Sequence, residues 1–235
     1  MIDTVRFEWG PTGAAAIAAP VTVVVDVLSF TTTLTVAVER GMTVYPFRWN
    51  DERAAAYAQE RDAVLARGRS LREGVSLSPV SVRGAVGVER LVLPSPNGSA
   101  IAFGLAETGA TVVGAALRNA SAVARWIAGR DGPVAVVAAG ERWPDGTLRP
   151  AAEDLWGAGA VIAGLVDLGV SGLSPEARVA ERAYRAARIP EDLVGCASGQ
   201  QLVGRGFAAD VEVAAEVDAS DVVPVLVGDA FVEER

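Results

Sequence analysis

The chain contains no histidine, no lysine and a single cysteine, and each of these absences closes off a class of chemistry. Without histidine there is no Ser-His-Asp triad, no phosphohistidine intermediate and no imidazole ligand for a metal. Without lysine there is no Schiff base and no ordinary phosphate-loop NTPase. All 21 basic residues are arginine, so every fixed cation is a planar guanidinium suited to bidentate binding of phosphate or carboxylate. Cys196 alone cannot form a disulfide within the chain or build a cysteine-rich zinc site. Its surroundings, Gly195-Cys196-Ala197-Ser198-Gly199, lead to no arginine six residues on, so they do not read as a thiolate phosphate loop; Cys196 is expected to be a small buried residue. Any bound metal must therefore be held by oxygen, which favours Mg²⁺ or a similar hard cation. Long apolar runs are also missing: Gly13 to Val25 is broken by Pro20 and Thr22 and has no basic region before it. No signal peptide, membrane span or membrane partner is expected, and a cytoplasmic location follows as the default. Positive charge is scarce. A net charge of −8 and a pI of about 4.7 argue against a nucleic-acid partner.

What is present is an alternation of apolar strands and helices. Apolar residues make up 51% of 235 residues, enough for one closed core spanning residues 1–235. Residues 21–28 form the first central strand, a continuous rather than alternating apolar run, as expected when both faces of a sheet are covered. Further strands are predicted at 5–9 (an edge), 43–47, 91–93, 111–115, 134–138 and 222–227. Helices are predicted at 14–19, 31–40, from the Asn50 cap to 66, to about 107 after the turn at 94–99, at 120–128 after Asn119, and at 153–168. Residues 10–13 read as a turn. Residues 67–88 read as irregular, with loop chemistry at Gly68-Arg69-Ser70 and Ser76-Leu77-Ser78-Pro79. From 175 onward the chain is mostly helical. The pattern predicts an α/β protein: a three-layer α/β/α arrangement around a mainly parallel sheet, with a helical C-terminal part.

Asp26 ends the strongest strand and precedes Ser29, Thr31, Thr32 and Thr33. A turn or capping role explains an acid at a strand end, but a charge this close to an apolar run is costly unless used. In an open α/β sheet the carboxyl ends of the strands are where ligands bind. The hydroxyl cluster, together with free amide groups at a helix start, favours an oxyanion, although one threonine on its own would pass for a cap. Asn97-Gly98-Ser99 marks a second strand-to-helix junction; alone it would be an ordinary turn. Glu153 and Asp154 open a helix where acids belong by the dipole. They are followed by Gly157-Ala158-Gly159, which suggests close approach of another element or a ligand. With Asp26 they make a candidate all-carboxylate Mg²⁺ site. Glu141, Arg142 and Asp145 are weaker candidates in the loop before. Arg69, Arg118, Arg205 and Asp210 are further charged groups for which a surface role is the favoured reading. No Gly-x-Gly-x-x-Gly follows the first strand, against a nucleotide-cofactor oxidoreductase. Leu28 stands two residues after Asp26 and breaks the Asp-x-Asp of haloacid-type phosphatases.

Taken in order, these stretches resemble the 2-phosphosulfolactate phosphatase family, Mg²⁺-dependent enzymes of coenzyme M biosynthesis. Where that family has Asp-Val-Leu-Arg-Ala-Thr-Thr-Thr, this chain has Asp26-Val27-Leu28-Ser29-Phe30-Thr31-Thr32-Thr33. Ser95-Pro96-Asn97-Gly98-Ser99-Ala100 stands for Thr-Thr-Asn-Gly-Thr-Arg. Asn119-Ala120-Ser121 matches Asn-Ala-Ser, and Glu153-Asp154 with Ala158-Gly159 matches Glu-Asp followed by Ala-Gly. Two family arginines are thus Ser29 and Ala100 here, and lost guanidiniums are lost anion clamps. The resemblance implies a Mg²⁺-dependent phosphatase acting on a small anionic phosphate ester. Asp26, Asn97, Glu153 and Asp154 would be catalytic, and Asp26, Glu153 and Asp154 would hold the metal. Ser29, Thr31, Thr32, Thr33, Gly98, Ser99, Arg69, Ser78 and Asn119 would contact substrate, with Arg69 or Arg118 replacing the lost arginines. A homodimer is left open. The missing arginines favour a second reading, a small-anion binding protein that kept the fold without turnover.

Overall fold

The computed structural model describes residues 2–48, 51–69 and 74–234. In chain order they form β1 (Val5–Trp9), α1 (Gly10–Ala16), β2 (Val21–Val25), α2 (Phe30–Glu39), β3 (Thr43–Phe47), α3 (Glu52–Glu60), β4 (Val64–Leu65), α4 (Pro79–Arg83), β5 (Arg90–Pro94), α5 (Gly98–Leu105), β6 (Thr111–Ala115) and α6 (Ala120–Ala128). There follow β7 (Val134–Ala138), the short hairpin β8 (Glu141–Arg142) and β9 (Leu148–Arg149), α7 (Ala152–Asp167), α8 (Pro175–Ala186), α9 (Glu191–Gly195), α10 (Ala197–Gly204), α11 (Ala208–Ala214), β10 (Pro224–Val227) and β11 (Ala230–Glu233). Among the described residues no helix is long and apolar enough to cross a membrane.

The main sheet has the order β1-β7-β2-β6-β10-β11-β3-β5-β4. It consists of two parallel blocks. β1, β7, β2 and β6 form one, with Val21–Val25 of β2 in full register with Thr111–Ala115 on one side and Val134–Ala138 on the other. β3, β5 and β4 form the second. The β10–β11 hairpin joins them through antiparallel contacts of one residue pair each, Val225 with Val113 and Phe231 with Val44. All five β2 residues are buried, as are all five of β7, because helices cover both faces. One core, around Val23, Val25 and Val136, packs under α6, α7 and α8; the other, around Val24 and Val137, packs under α2 and α5. The alternation of side chains along β2 and β7 therefore feeds two cores from one ribbon. The result is a mixed α/β fold with a mostly parallel sheet and a helical C-terminal part from α7 to α11.

Several boundaries differ from the sequence reading. Residues 10–13 are the first turn of α1 rather than a free turn; Pro11 is tolerated there because a helix start leaves its amides unpaired. α3 stops at Glu60, and Val64–Leu65 instead pairs with β5. Ser78 caps a helix, α4, within the stretch read as irregular. The last strand begins at Pro224, and its antiparallel partner β11 follows. Asn50, read as a helix cap, and Ser70 lie outside the described residues.

Candidate active site

Asp26 follows directly on β2 and is only 4% exposed. Its Oδ1 accepts a hydrogen bond from the Phe30 amide at 3.1 Å, and its Oδ2 accepts from the Gly98 amide at 2.8 Å and from the Ser95 hydroxyl at 3.4 Å. Phe30 and Gly98 are the first residues of α2 and α5, where amide groups have no intrahelical partner. One carboxylate thus occupies two helix N-termini, with the favourable dipoles of both. Glycine is required at 98: an added Cβ would stand 2.6 Å from Asp26 Cβ and 2.9 Å from Phe30 Cδ1.

Of the threonine cluster expected to contact substrate, Thr31 and Thr32 turn their hydroxyls to the backbone. Thr31 Oγ1 donates to the Asp26 carbonyl at 2.8 Å and accepts from the Asp26 amide at 2.9 Å, while Thr32 Oγ1 donates to the Val27 carbonyl at 2.7 Å. α2 is buried from Phe30 to Val38, and the hydroxyls of Thr31 and Thr32 find their partners inside the protein. Thr33 Oγ1 is buried without a partner among the described residues. Three further expected substrate contacts are likewise spent on the fold. The Ser99 hydroxyl accepts from the Phe47 amide at 2.7 Å and lies 2.9 Å from the Leu93 carbonyl, joining the ends of β3 and β5. Asn119 Oδ1 accepts from the Ala116 amide at 2.8 Å, and its Nδ2 donates to the carbonyls of Gly114 and Val222. Ser78 Oγ donates to Asp210 Oδ1 at 2.5 Å and accepts from the Ser81 amide as the α4 cap.

The acids do gather. α7 lies close on β2 because Gly157 has no side chain: a Cβ there would meet Val27 Cγ2 at 2.6 Å and Val25 Cγ1 at 2.7 Å. On its other side Gly159 lies against α8, where a Cβ would stand 2.1 Å from the Ala180 carbonyl. These glycines serve helix and strand packing, and they bring Glu153 and Asp154 to the turn after β2. Asp154 Oδ1 accepts from the Val27 amide at 2.7 Å and its Oδ2 from the Gly140 amide at 2.8 Å, bracing the ends of β2 and β7. Glu153 is 2% exposed and lines a recess of about 410 Å³ with Arg149, Asp192 and Cys196. Glu141 completes the group: its Oε2 accepts from Asn97 Nδ2 at 2.9 Å. In the sequence it stands among the weaker candidates. Its signal is its place, three residues beyond β7, as Asp26 stands one beyond β2.

Burial and mutual repulsion hold Asp26, Asp154 and Glu141 in their protonated form more than usual. Burial raises Asp26 and Asp154, the latter strongly, with the charges of Glu153 and, for Asp154, of Asp26 adding to it. Glu141 is raised to about 7, chiefly by burial and then by the Asp26 charge, with the Asn97 hydrogen bond and Arg149 opposing. Cys196 is pushed up to about 12 by burial and by Glu153 beside it, so it stays a neutral thiol.

Of the arginines singled out in the sequence, Arg69 reaches the site. Its guanidinium donates to the Ser29 hydroxyl and, through Nε at 3.0 Å, to Asp210, so a guanidinium does stand beside position 29. Arg118 does not serve there; it is 2% exposed and paired with Glu39 and Glu216. Arg142 bonds to the carbonyls of Gly146 and Pro96, and Asp145 turns to Thr147 in the exposed β8–β9 turn.

Does this donor set fit Mg²⁺? It is made of oxygen, carries excess negative charge and includes no competing thiolate. Asp26 Oδ1 and both carboxylate oxygens of Asp154 each keep a lone pair beyond their amide partner, whereas Asp26 Oδ2 already accepts from the Gly98 amide and the Ser95 hydroxyl. Among the described residues no three acids or thiols converge as a ready-made ligand cluster. The fit is therefore one of donor type and charge.

A family model described as 2-phosphosulpholactate phosphatase matches residues 11–229. Three relatives are each named a probable 2-phosphosulfolactate phosphatase. That of Deinococcus radiodurans is 35% identical over 217 residues, covering 88% of this chain and 88% of its own. That of Thermus thermophilus is 34% identical over 234 residues, 92% of each chain, and that of Carboxydothermus hydrogenoformans 32% identical over 208 residues, 86% of this chain and 84% of its own. The chain is an α/β protein of the phosphatase class, with phosphoric monoester hydrolysis as the activity of that class. It belongs to the 2-phosphosulfolactate phosphatase family.

Proposed function

We propose that the chain hydrolyses the phosphate ester of a small hydroxy acid of the 2-phosphosulfolactate kind, in a reaction that depends on Mg²⁺. The observation that carries this reading is the gathering of three buried acids, Asp26, Glu153 and Asp154, beside the half-buried Glu141, three separated stretches of chain meeting at the ends of β2 and β7. Uncompensated, such a group of acids is costly. A divalent cation resolves that cost, and Asp26, Glu153 and Asp154 would hold it. When bound it would supply neutralisation of the developing charge on the phosphoryl and leaving oxygens.

The chain's own residues do the rest. Arg69 and Ser29, already hydrogen-bonded to each other, turn donors towards the phosphoryl oxygens. Asp26 is fixed by two amides and is poorly placed to swing as a nucleophile, so a water molecule attacks phosphorus and the ester P–O bond breaks. Glu141, protonated up to about pH 7, gives its proton to the departing alkoxide oxygen, and Asn97 fixes the orientation of that carboxyl. The products are inorganic phosphate and the free hydroxy acid.

The test is phosphate release from 2-phosphosulfolactate and related phospho-hydroxy acids, with Mg²⁺ or with EDTA. Release that needs Mg²⁺, and that falls by about 10²-fold or more in Glu153→Gln, supports the proposal. No release from any ester, under conditions in which a relative turns over, rejects it. The replaced family arginines, Ser29 and Ala100, favour the binding-protein reading; that outcome would appear as stabilisation by phosphate esters without release.

A further inference from the structure

A cleft of about 820 Å³ beside the site opens between the Arg67–Arg69 loop and the α10–α11 helices. Three guanidiniums line it: Arg67, Arg69 and Arg205. In a chain of net charge −8, an arginine readily finds an acidic partner, as Arg61, Arg83 and Arg185 do. Arg69 is paired with Asp210, yet neither Arg67 nor Arg205 has a side-chain partner among the described residues. Between them the wall is apolar, with Leu77, Leu202 and Phe207. The Arg69 guanidinium carbon stands 5.8 Å from the Phe207 ring centre. A short carbon chain bearing separated anionic groups matches such a surface: apolar walls take the chain and a few convergent cations fix its ends.

We propose that Arg67 and Arg205 are specificity residues that bind a second acid group of the substrate, a carboxylate or sulfonate, while Arg69 stands between that group and the phosphoryl position. The inference rests on the phosphatase reading for its second half only, since binding of a small dianion in the cleft does not require turnover. It restricts substrates to phosphate esters that carry another strong acid on the same short chain. Simple alkyl phosphates leave both guanidiniums unpaired and gain nothing from them.

Two measurements test it, on the full chain with Mg²⁺. The first compares phosphate release from 2-phospholactate and from isopropyl phosphate, which share a carbon skeleton and differ in the carboxylate. Arg205→Ala and Arg67→Ala are both at exposed positions, so folding is preserved. Each is expected to raise KM for 2-phospholactate about tenfold or more and to change isopropyl phosphate turnover by less than about twofold. The second is calorimetric titration with sulfoacetate, a phosphate-free dianion. It should bind to the wild type and about tenfold or more weakly to either variant. Equal losses on both esters, or sulfoacetate binding that ignores both arginines, overturns the proposal. If no ester releases phosphate while sulfoacetate binding still depends on Arg67 and Arg205, the phosphatase reading fails and the cleft assignment stands.

Discussion

A methyl group at position 98 has nowhere to go, since Asp26 and Phe30 fill the space within 2.9 Å. Gly98→Ala is expected to cost roughly 1–3 kcal/mol in urea unfolding, the usual range for overpacking, and to displace the amide that holds Asp26. Glu141 gives a prediction in pH. With its carboxyl at about 7, a proton donor loses its proton as pH rises, so kcat should fall on the alkaline side with a midpoint near that value. Glu141→Gln removes that limb and lowers kcat by about 10²-fold or more. Asn97→Ala removes a hydrogen bond that favours the charged carboxylate, so the limb should move to higher pH. A profile that ignores Asn97 would dissociate the pair from the chemistry. At this scale the sequence was half legible. Acids placed just beyond apolar runs stood out because isolated charge is expensive there. Which way a hydroxyl turns did not, because Thr31, Thr32, Ser99 and Asn119 are committed to backbone groups that only the folded chain brings near.

The helix that delivers two of the acids also makes close contacts on two sides. On α7, Gly157 lies against β2 and Gly159 against α8. Gly159→Ala meets a backbone carbonyl, which cannot rotate away, and should cost at least about 2 kcal/mol in denaturant melts. Gly157→Ala meets two valine methyls and lifts α7 at the end that carries Glu153 and Asp154. Its phosphate release should drop more than its stability does; the reverse order would show that α7 is merely packing. Long elements were readable: β3, β6, β7 and α6 fall where apolar periodicity put them. Short ones were not. β4 and β11 exist because a partner strand satisfies their amides, and α4 because Ser78 caps it, so local propensity alone could not reveal them.

For the molecule as a whole, the acids of the site set how stability varies with pH. Asp26, Asp154 and Glu141 all hold protons more tightly when folded than ordinary carboxyls do. Over the window from the usual carboxylate range up to about 7 for Glu141, the folded chain binds more protons than the unfolded one, so stability falls as pH rises. In EDTA the melting temperature should be higher at about pH 5.5 than at about pH 8, and Glu141→Gln should flatten part of that slope. Adding Mg²⁺ should recover stability at the alkaline end by mass action. Identical melts with and without the ion would remove the case for a cation. The double amide grip on Asp26 carries one more implication. It ties the turn after β2, in one parallel block, to the start of α5, which follows the other block. A descendant that abandoned hydrolysis would still need that clasp to hold its halves together. Retention of an aspartate there in any relative therefore says little about whether the relative is an active enzyme, and the glutamates at 141 and 153 are the positions to inspect instead.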